Sequence, residues 1–110
     1  MIEETLAKLE SRLNQLTSVS EERKTELKAL FSDLKSEVVE LSKTRSEDAE
    51  SITRFAEISA YEATRPGKNA ELSDLSLQGF STSVDGFEAS HPHLVSVVNS
   101  ICSTLSNFGI

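Results

Sequence analysis

The 110-residue sequence has no tryptophan, one tyrosine and five phenylalanines, so aromatic side chains cannot make up most of its core. The core must come mainly from Leu, Val, Ile and Ala, which suits helices that pack along narrow apolar stripes. Glycine and proline are also scarce, with four and two residues, and 37% of the residues are hydrophobic and 26% charged. This composition is that of a folded, soluble chain. We therefore expect a single all-helical domain over residues 1–110.

Cysteine is nearly absent, since Cys102 is the only one, and a disulfide within the chain is excluded. Cys102 falls on an apolar stripe beside Ile101 and Leu105, where a buried thiol is expected rather than a nucleophile. No serine lies in a nucleophile-elbow pattern, and no glycine-containing stretch has the spacing of a phosphate-binding loop. The sequence thus predicts a protein that is not an enzyme and has no cofactor.

Long apolar runs and an excess of positive charge are missing as well. No run of about 18 apolar residues is present, and the N-terminus lacks the basic and apolar segments of a secretion signal. The net charge is -7, and Lys68 is the last basic residue. Such a chain repels phosphate backbones and anionic lipids. We expect a cytoplasmic protein with neither nucleic acid nor membrane as a partner.

The sequence does contain apolar stripes of helical period. The first predicts a helix of roughly four turns, and its members are Ile2, Leu6, Leu9, Leu13 and Leu16. Ser18 stands three residues before Glu21, which predicts a capping box and a new helix after a turn at 17–20. The next stripe runs through Leu27, Leu30, Phe31, Leu34, Val38, Val39 and Leu41.

The second stripe is interrupted over residues 42–50. Its spacing would place the next apolar residues at positions 45 and 48, which are Arg45 and Asp48. One interpretation is a continuous helix of about 45 residues, about 67 Å long, because nothing in the interruption forbids a helix. The alternative is a turn near 43–46, with Thr44 and Glu47 as a second capping box. Arg45 and Asp48 are then either a buried pair that fixes the register between chains or part of a solvated gap.

The residues after this interruption lie nearly all round a helix, which predicts burial on several sides, before Pro66 and Gly67 end it. A third helix is predicted over residues 72–87, with Gly79 and Gly86 on one face. These glycines cost about 1 kcal/mol each in a helix interior. They indicate either the close approach of another backbone or a break in the helix.

The last helix is predicted to begin at Pro92, with Ser90 or His91 as its cap, and to end at Gly109. Its apolar side reaches Phe108, whereas its other side carries Ser, Thr and Asn without any charged residue after Glu88. A face meant for open water normally carries charge. We therefore expect this helix to be contacted on more than one side.

A family resemblance is found in the C-terminal part of the chain. The residues that carry it are Phe87-Glu88-Ala89-Ser90-His91-Pro92-His93-Leu94, then Asn99, and then Leu105-Ser106-Asn107-Phe108-Gly109-Ile110. This part resembles a bacterial family of short, acidic, helical proteins known only as a domain of unknown function. The Leu-rich opening and the stretches 55–57 and 61–63 look similar to that family too. The resemblance implies a helical fold over the whole chain and no mechanism.

Together these patterns predict an all-α fold with two sub-lobes. A helical hairpin over residues 1–41, with a long central helix, joins through 42–50 to a small C-terminal helical bundle over 51–110. Two helices bury too little apolar surface to be stable alone, so we expect coiled-coil-like packing into a homodimer or higher homo-oligomer. The predicted oligomer interface comprises Leu6, Leu9, Leu13, Leu27, Leu30, Phe31, Leu34, Val38 and Leu41.

Three functions are compatible with this pattern. The first is a non-enzymatic structural or protein-interaction module that self-associates or recruits another protein. The second is a carrier of an apolar small molecule, lined by Phe55, Tyr61, Phe80, Phe87 and Phe108. The third uses His91 and His93 as metal ligands, with Glu88 as a further donor. Because no other His and no second Cys is available, we expect a helix-start histidine pair and no metal site.

Overall fold

The computed structural model describes residues 2–16 and 19–107, with the side chain of Ile2 excepted. Within these ranges the chain forms five α-helices and no strand, which confirms the all-helical fold class. The helices are α1 (Ile2–Asn14), α2 (Glu21–Ser42), α3 (Ser46–Thr64), α4 (Ala70–Thr82) and α5 (Pro92–Ser106). The predicted roles of Ser18, Phe108 and Gly109 lie outside the described residues.

The chain turns between α2 and α3, so the continuous helix is wrong and the alternative turn is right. The backbone amides of Thr44 and Arg45 both donate to the carbonyl of Leu41, at 3.1 and 2.8 Å, which closes the last turn of α2. The longest extent of the chain is 38 Å, whereas a helix of about 45 residues would need about 67 Å. Turning back brings Ala49 and Ile52 of α3 into the same core as α2.

The N-terminal caps differ from those predicted. Ser20 caps α2, and its hydroxyl accepts a hydrogen bond from the amide of Arg23 at 3.2 Å. Arg45 occupies the cap position of α3 without a side-chain cap bond, and the predicted Thr44 capping box does not form. The Thr44 hydroxyl instead donates to the carbonyl of Leu41 at 3.5 Å.

All five helices contribute to one buried core. α1 packs on α2 and α3, α3 packs on α4, and α2 also packs on α5. Because α2 and α5 are in contact, the two predicted sub-lobes share this core. The long central helix joining them is replaced by two helices that fold back on each other.

Gly79 and Gly86 have different roles. Gly79 lies inside α4 with the ring of Phe55 against it, so the close-approach explanation holds there. Gly86 lies beyond the end of α4 and has a φ of 95°, a conformation that L side chains rarely adopt. The predicted helix over 72–87 therefore ends at Thr82.

Candidate functional site

The residues predicted to form an oligomer interface lie inside the chain. Eight are at most 4% exposed, namely Leu6, Leu9, Leu13, Leu27, Phe31, Leu34, Val38 and Leu41. Leu30 is partly buried against the same core. The chain's own helices thus make the contacts that the sequence analysis assigned to a second copy. The periodic stripes identify the core, and apart from Leu30 these positions have almost no exposed area left for a second copy.

Large apolar side chains are nevertheless exposed on α3 and α4. Among the described residues these are Ile58 at 47%, Tyr61 at 45%, Leu72 at 44% and Leu75 at 55%. All four belong to one helix pair joined by residues 65–69. The large exposed apolar side chains of the described residues therefore all lie on this helix pair.

Two contacts fix how α3 and α4 lie against each other. The buried hydroxyl of Ser59 donates to the carbonyl of Ser76 at 3.0 Å, and Phe55 packs on Gly79. Because residue numbers fall on α4 as they rise on α3, the two helices are antiparallel. Ser59 and Ser76 thus mark the same level along the pair.

Ile58 and Leu75 each precede one of these paired serines by one residue. One residue is a rotation of about 100° around a helix, and in an antiparallel pair equal rotations point to the same side of the contact. Ile58 and Leu75 therefore lie near each other on the side away from the core, which agrees with their exposure. Leu72 and Tyr61 lie about one turn further along, with Leu72 turned towards the contact between the two helices and Tyr61 turned towards Arg12 of α1. We call these four residues, with the partly buried Phe55, the outer α3–α4 face.

Tyr61, at one edge of this face, is held by two arginines. The guanidinium carbon of Arg12 on α1 lies 4.7 Å from the ring centroid, and that of Arg65 lies 5.9 Å away. Arg12 also donates from Nε to the hydroxyl of Thr64 at 3.0 Å. Arg65 Nε lies 2.9 Å from Glu62 Oε1, although the angle does not suit a hydrogen bond. These contacts fix the orientation of the exposed ring.

Charged side chains lie at both ends of the outer α3–α4 face. Arg54, exposed on α3, lies one turn before Ile58 and makes a long ion pair of 3.9 Å with Glu50. Glu71, exposed in the first turn of α4, lies beside Leu72. Arg54 and Glu71 are both exposed beside the helix pair.

Arg45 and Asp48 form an exposed ion pair at the start of α3, at 2.8 Å between Nη2 and Oδ2. Their side chains are 59% and 43% exposed. Within one chain the pair is therefore solvated, and the alternative of a buried pair that fixes register between chains stays a prediction. Arg45 also lies 5.4 Å from the ring centroid of Phe87, which links the α2–α3 turn to the loop before α5.

The His-Pro-His stretch starts α5. His91 is the N-cap, Pro92 is the first helical residue, and the His91 ring meets the Phe87 ring edge-on at 5.7 Å. His93 is exposed. The described residues contain no group of three or more His, Cys, Asp or Glu placed to hold a metal ion. In this arrangement the His91 ring packs on Phe87 of the preceding loop.

The preceding residues shape the same loop. The carboxylate of Glu88 accepts from the amide of Gly86 at 2.8 Å, Phe87 is buried, and the amide of His91 donates to the carbonyl of Phe87 at 2.7 Å. A protein-family model, described as a domain of unknown function, matches residues 2–110, which include this loop. The chain belongs to the DUF4404 family.

The predicted membership of a family of helical proteins of unknown function is thus confirmed. No curated protein and no solved structure matches the DUF4404 chain. Among its described helices, none has the length and hydropathy needed to cross a bilayer. The function of the DUF4404 chain must therefore be inferred from its own surface.

The aromatic residues proposed to line an apolar cavity differ in their exposure in the DUF4404 chain, and Phe55 is partly buried against the core. Phe80 is fully buried and Phe87 is 7% exposed in the core, whereas Tyr61 is at the surface. Phe108 lies outside the described residues. These positions favour packing and surface roles over a common binding cavity.

Two surface clefts have polar linings. One, of about 490 Å³, lies where α1, α2 and α3 meet and carries four glutamates, Glu3, Glu4, Glu47 and Glu50. The other, of about 410 Å³, lies between Glu26 of α2 and the uncharged polar side of α5. The sequence predicts that this polar side of α5 is contacted by other residues, but its Ser and Asn residues are largely exposed. Neither cleft has a lining suited to an apolar ligand.

Cys102 of the DUF4404 chain is partly buried, and its thiol donates to the carbonyl of Leu77 at 3.7 Å. Burial raises the pKa of this thiol to about 11. A thiol of that pKa carries little thiolate at neutral pH, so it is a poor nucleophile. This agrees with the packing role expected from the sequence.

Proposed function

We propose that this DUF4404 protein is a non-enzymatic protein-interaction module that binds through the outer α3–α4 face. The supporting observation is the exposure of four large apolar side chains on one helix pair, namely Ile58, Tyr61, Leu72 and Leu75. Single exposed apolar residues are ordinary on any protein. A contiguous apolar patch rimmed by polar residues is typical of a partner-binding surface.

The rigidity of the helix pair supports the same proposal. The Ser59–Ser76 hydrogen bond and the contact between Phe55 and Gly79 hold α3 and α4 at a fixed separation. Tyr61 is oriented by Arg12 and by Arg65. A surface that is ordered before binding loses less conformational entropy on association, and tyrosine is a common binding hot spot.

Self-association was predicted to use the apolar stripes of α1 and α2. These stripes are buried in the core, so in this fold any self-association must use another surface. The outer α3–α4 face supplies the exposed apolar area that such an association needs.

Site-specific photo-crosslinking tests the proposal. A photoreactive phenylalanine analogue is placed at Ile58 or Leu75 on the face, and at the exposed Ser36 of α2 as a matched control. We expect protein adducts from positions 58 and 75 in the source cell, identified by mass spectrometry, and none specific to position 36. Equal labelling at all three positions would show that the face is not a binding surface.

A further inference from the structure

We propose that Asp85–Gly86 is a site of covalent modification, at which an isoaspartyl linkage forms through a succinimide, and that Glu88 slows this reaction by holding the amide of Gly86. The site lies in the loop between α4 and α5 and shares no residue with the outer α3–α4 face. Three features of the loop support it, namely the turn over residues 84–87, the hydrogen bond to Glu88 and the exposure of the two residues that react.

The backbone makes a tight turn at the reactive pair. The amide of Phe87 donates to the carbonyl of Val84 at 3.1 Å, which closes the turn. Gly86, the third residue of the turn, has a φ of 95°, whereas no described residue other than glycine has a positive φ. This is the pattern of a type II turn. Asp85 and Gly86 are both exposed, so water reaches the carboxyl group and the peptide bond that follows it.

An aspartate followed by glycine suits ring closure. The nitrogen of Gly86 attacks Cγ of the protonated Asp85 carboxyl group, and the carboxyl hydroxyl leaves as water together with the amide proton. Glycine favours this step because it has no Cβ to hinder the approach. Water then opens the succinimide by cleaving the bond between this nitrogen and the backbone carbonyl carbon of Asp85. The chain afterwards runs through Cγ, and its mass is unchanged.

The hydrogen bond to Glu88 opposes ring closure. The amide nitrogen of Gly86 lies 2.8 Å from Oε2 and 3.2 Å from Oε1 of this carboxylate. In a type II turn this nitrogen faces away from Cβ of Asp85, so the peptide plane must rotate before the nitrogen reaches Cγ. That rotation breaks the bond to Glu88 and the bond that closes the turn. The bond to Glu88 is the stronger restraint, because its acceptor is charged.

The modification affects the core because Phe87 follows the site directly. Isoaspartate adds one methylene to the backbone before Gly86, so the turn no longer closes on Phe87 in the same register. The buried Phe87 ring lies 5.4 Å from the guanidinium carbon of Arg45 and 5.7 Å from the ring centroid of His91. Displacement of this ring would separate the start of α5 from the turn between α2 and α3. We therefore expect the isoaspartyl form to be loosened at this loop.

Ageing of the purified full chain at neutral pH tests the site. Samples are kept for several weeks at physiological temperature, folded or in denaturant, and are then cut with chymotrypsin after Phe80 and Phe87. Isoaspartate in the peptide 81–87 is separated by chromatography and assigned by electron-transfer fragmentation. We expect conversion in both samples, slower in the folded chain by about tenfold or more. Asp85→Glu is the blocked control, because its longer side chain closes a less favourable ring.

Variants of Glu88 test the restraint. Glu88→Ala removes the acceptor and should speed conversion of the folded chain by about three- to tenfold. Glu88→Gln keeps an uncharged acceptor and should lie between Glu88→Ala and wild type. Glu57→Ala is the matched control, since it removes an exposed carboxylate from α3 and should leave the rate unchanged. Thermal melts check that each variant folds, and Asp74, which precedes Leu75, is an internal reference whose conversion should not change.

The outcomes separate the site from its restraint. Equal rates in folded wild type and Glu88→Ala would overturn the role of Glu88, and a slower rate in Glu88→Ala would show that the carboxylate assists the reaction as a base. Isoaspartate absent from both folded proteins, while the denatured chain converts, would overturn the site itself. Faster amide hydrogen exchange at residues 83–91 of the isoaspartyl form supports the expected loosening, and unchanged exchange would contradict it.

Discussion

The ring of Phe55 on α3 fills the space that a Cβ at Gly79 of α4 would occupy. A Cβ built at Gly79 would lie 2.9 Å from Cδ1 of that ring and would overlap Cε1. The absence of a side chain at this one position thus permits the close approach of α3 and α4, on which the outer α3–α4 face depends.

Gly79→Ala is expected to lower the free energy of unfolding by about 1 kcal/mol. Alanine gains about 1 kcal/mol in helix propensity, but the added methyl overpacks against Phe55, at a cost of about 1–3 kcal/mol. In a Phe55→Ala background the ring is gone, so the same change should instead stabilise by about 1 kcal/mol. Urea denaturation of the four proteins gives the coupling energy. An equal effect of Gly79→Ala in both backgrounds would contradict the contact.

Arg12 is expected to hold α1 against α3. Arg12→Met keeps the length of the side chain but removes both the hydrogen bond to Thr64 and the charge over Tyr61. We expect a loss of about 1–2 kcal/mol in stability and faster amide hydrogen exchange in α1. Thr64→Val provides the control, because the Arg12→Met effect should be smaller in that background. Unchanged exchange in α1 would show that these contacts do not hold the helix.

Cys102 is expected to react slowly in the folded protein. Its pKa is raised from 9.0 to about 11, so at pH 8 the folded chain carries about 100-fold less thiolate than the unfolded chain. The rate of reaction with a thiol-specific chromogenic reagent, measured against pH, tests this. In denaturant the rate should level off above pH 9, whereas in native buffer it should keep rising towards pH 11. A native rate that levels off near pH 9 would be inconsistent with the buried thiol.

The helices themselves could be predicted because each has a local signal. The apolar stripes define α1 and α2, Pro66 and Gly67 follow the end of α3, and Pro92 begins α5. The turn between α2 and α3 has a weaker signal, since Lys43, Thr44 and Arg45 are compatible with a helix and the capping box of Thr44 and Glu47 does not form. What decides the turn is the burial of α3 in the shared core, which is a tertiary effect that local propensity does not contain.

The candidate site was harder to predict than the fold. A stripe of apolar residues shows which side chains are buried, but it does not show whether the same chain or another chain covers them. For this reason the sequence predicts an interface between chains at Leu27 and its neighbours, although these residues lie in the core of one chain. The apolar residues all round α3 predict burial on several sides, whereas Ile58 and Tyr61 are exposed in the structure. Leu72 and Leu75 could be placed near Ile58 and Tyr61 only from the structure, which shows which residues of α4 lie opposite which residues of α3.

The contact between α2 and α5 has a consequence for how the protein is made. Near one end of this contact Arg23 donates from Nη1 to the carbonyl of Asn107 at 3.3 Å, so residues far apart in the chain complete one core. A ribosome adds about 5–20 residues per second, and it finishes α2 several seconds before it reaches the end of α5. The apolar side of α2 must remain uncovered, or be bound by a chaperone, until α5 has been synthesised. A chain that stops before Pro92 is therefore expected to aggregate rather than to fold into a smaller bundle.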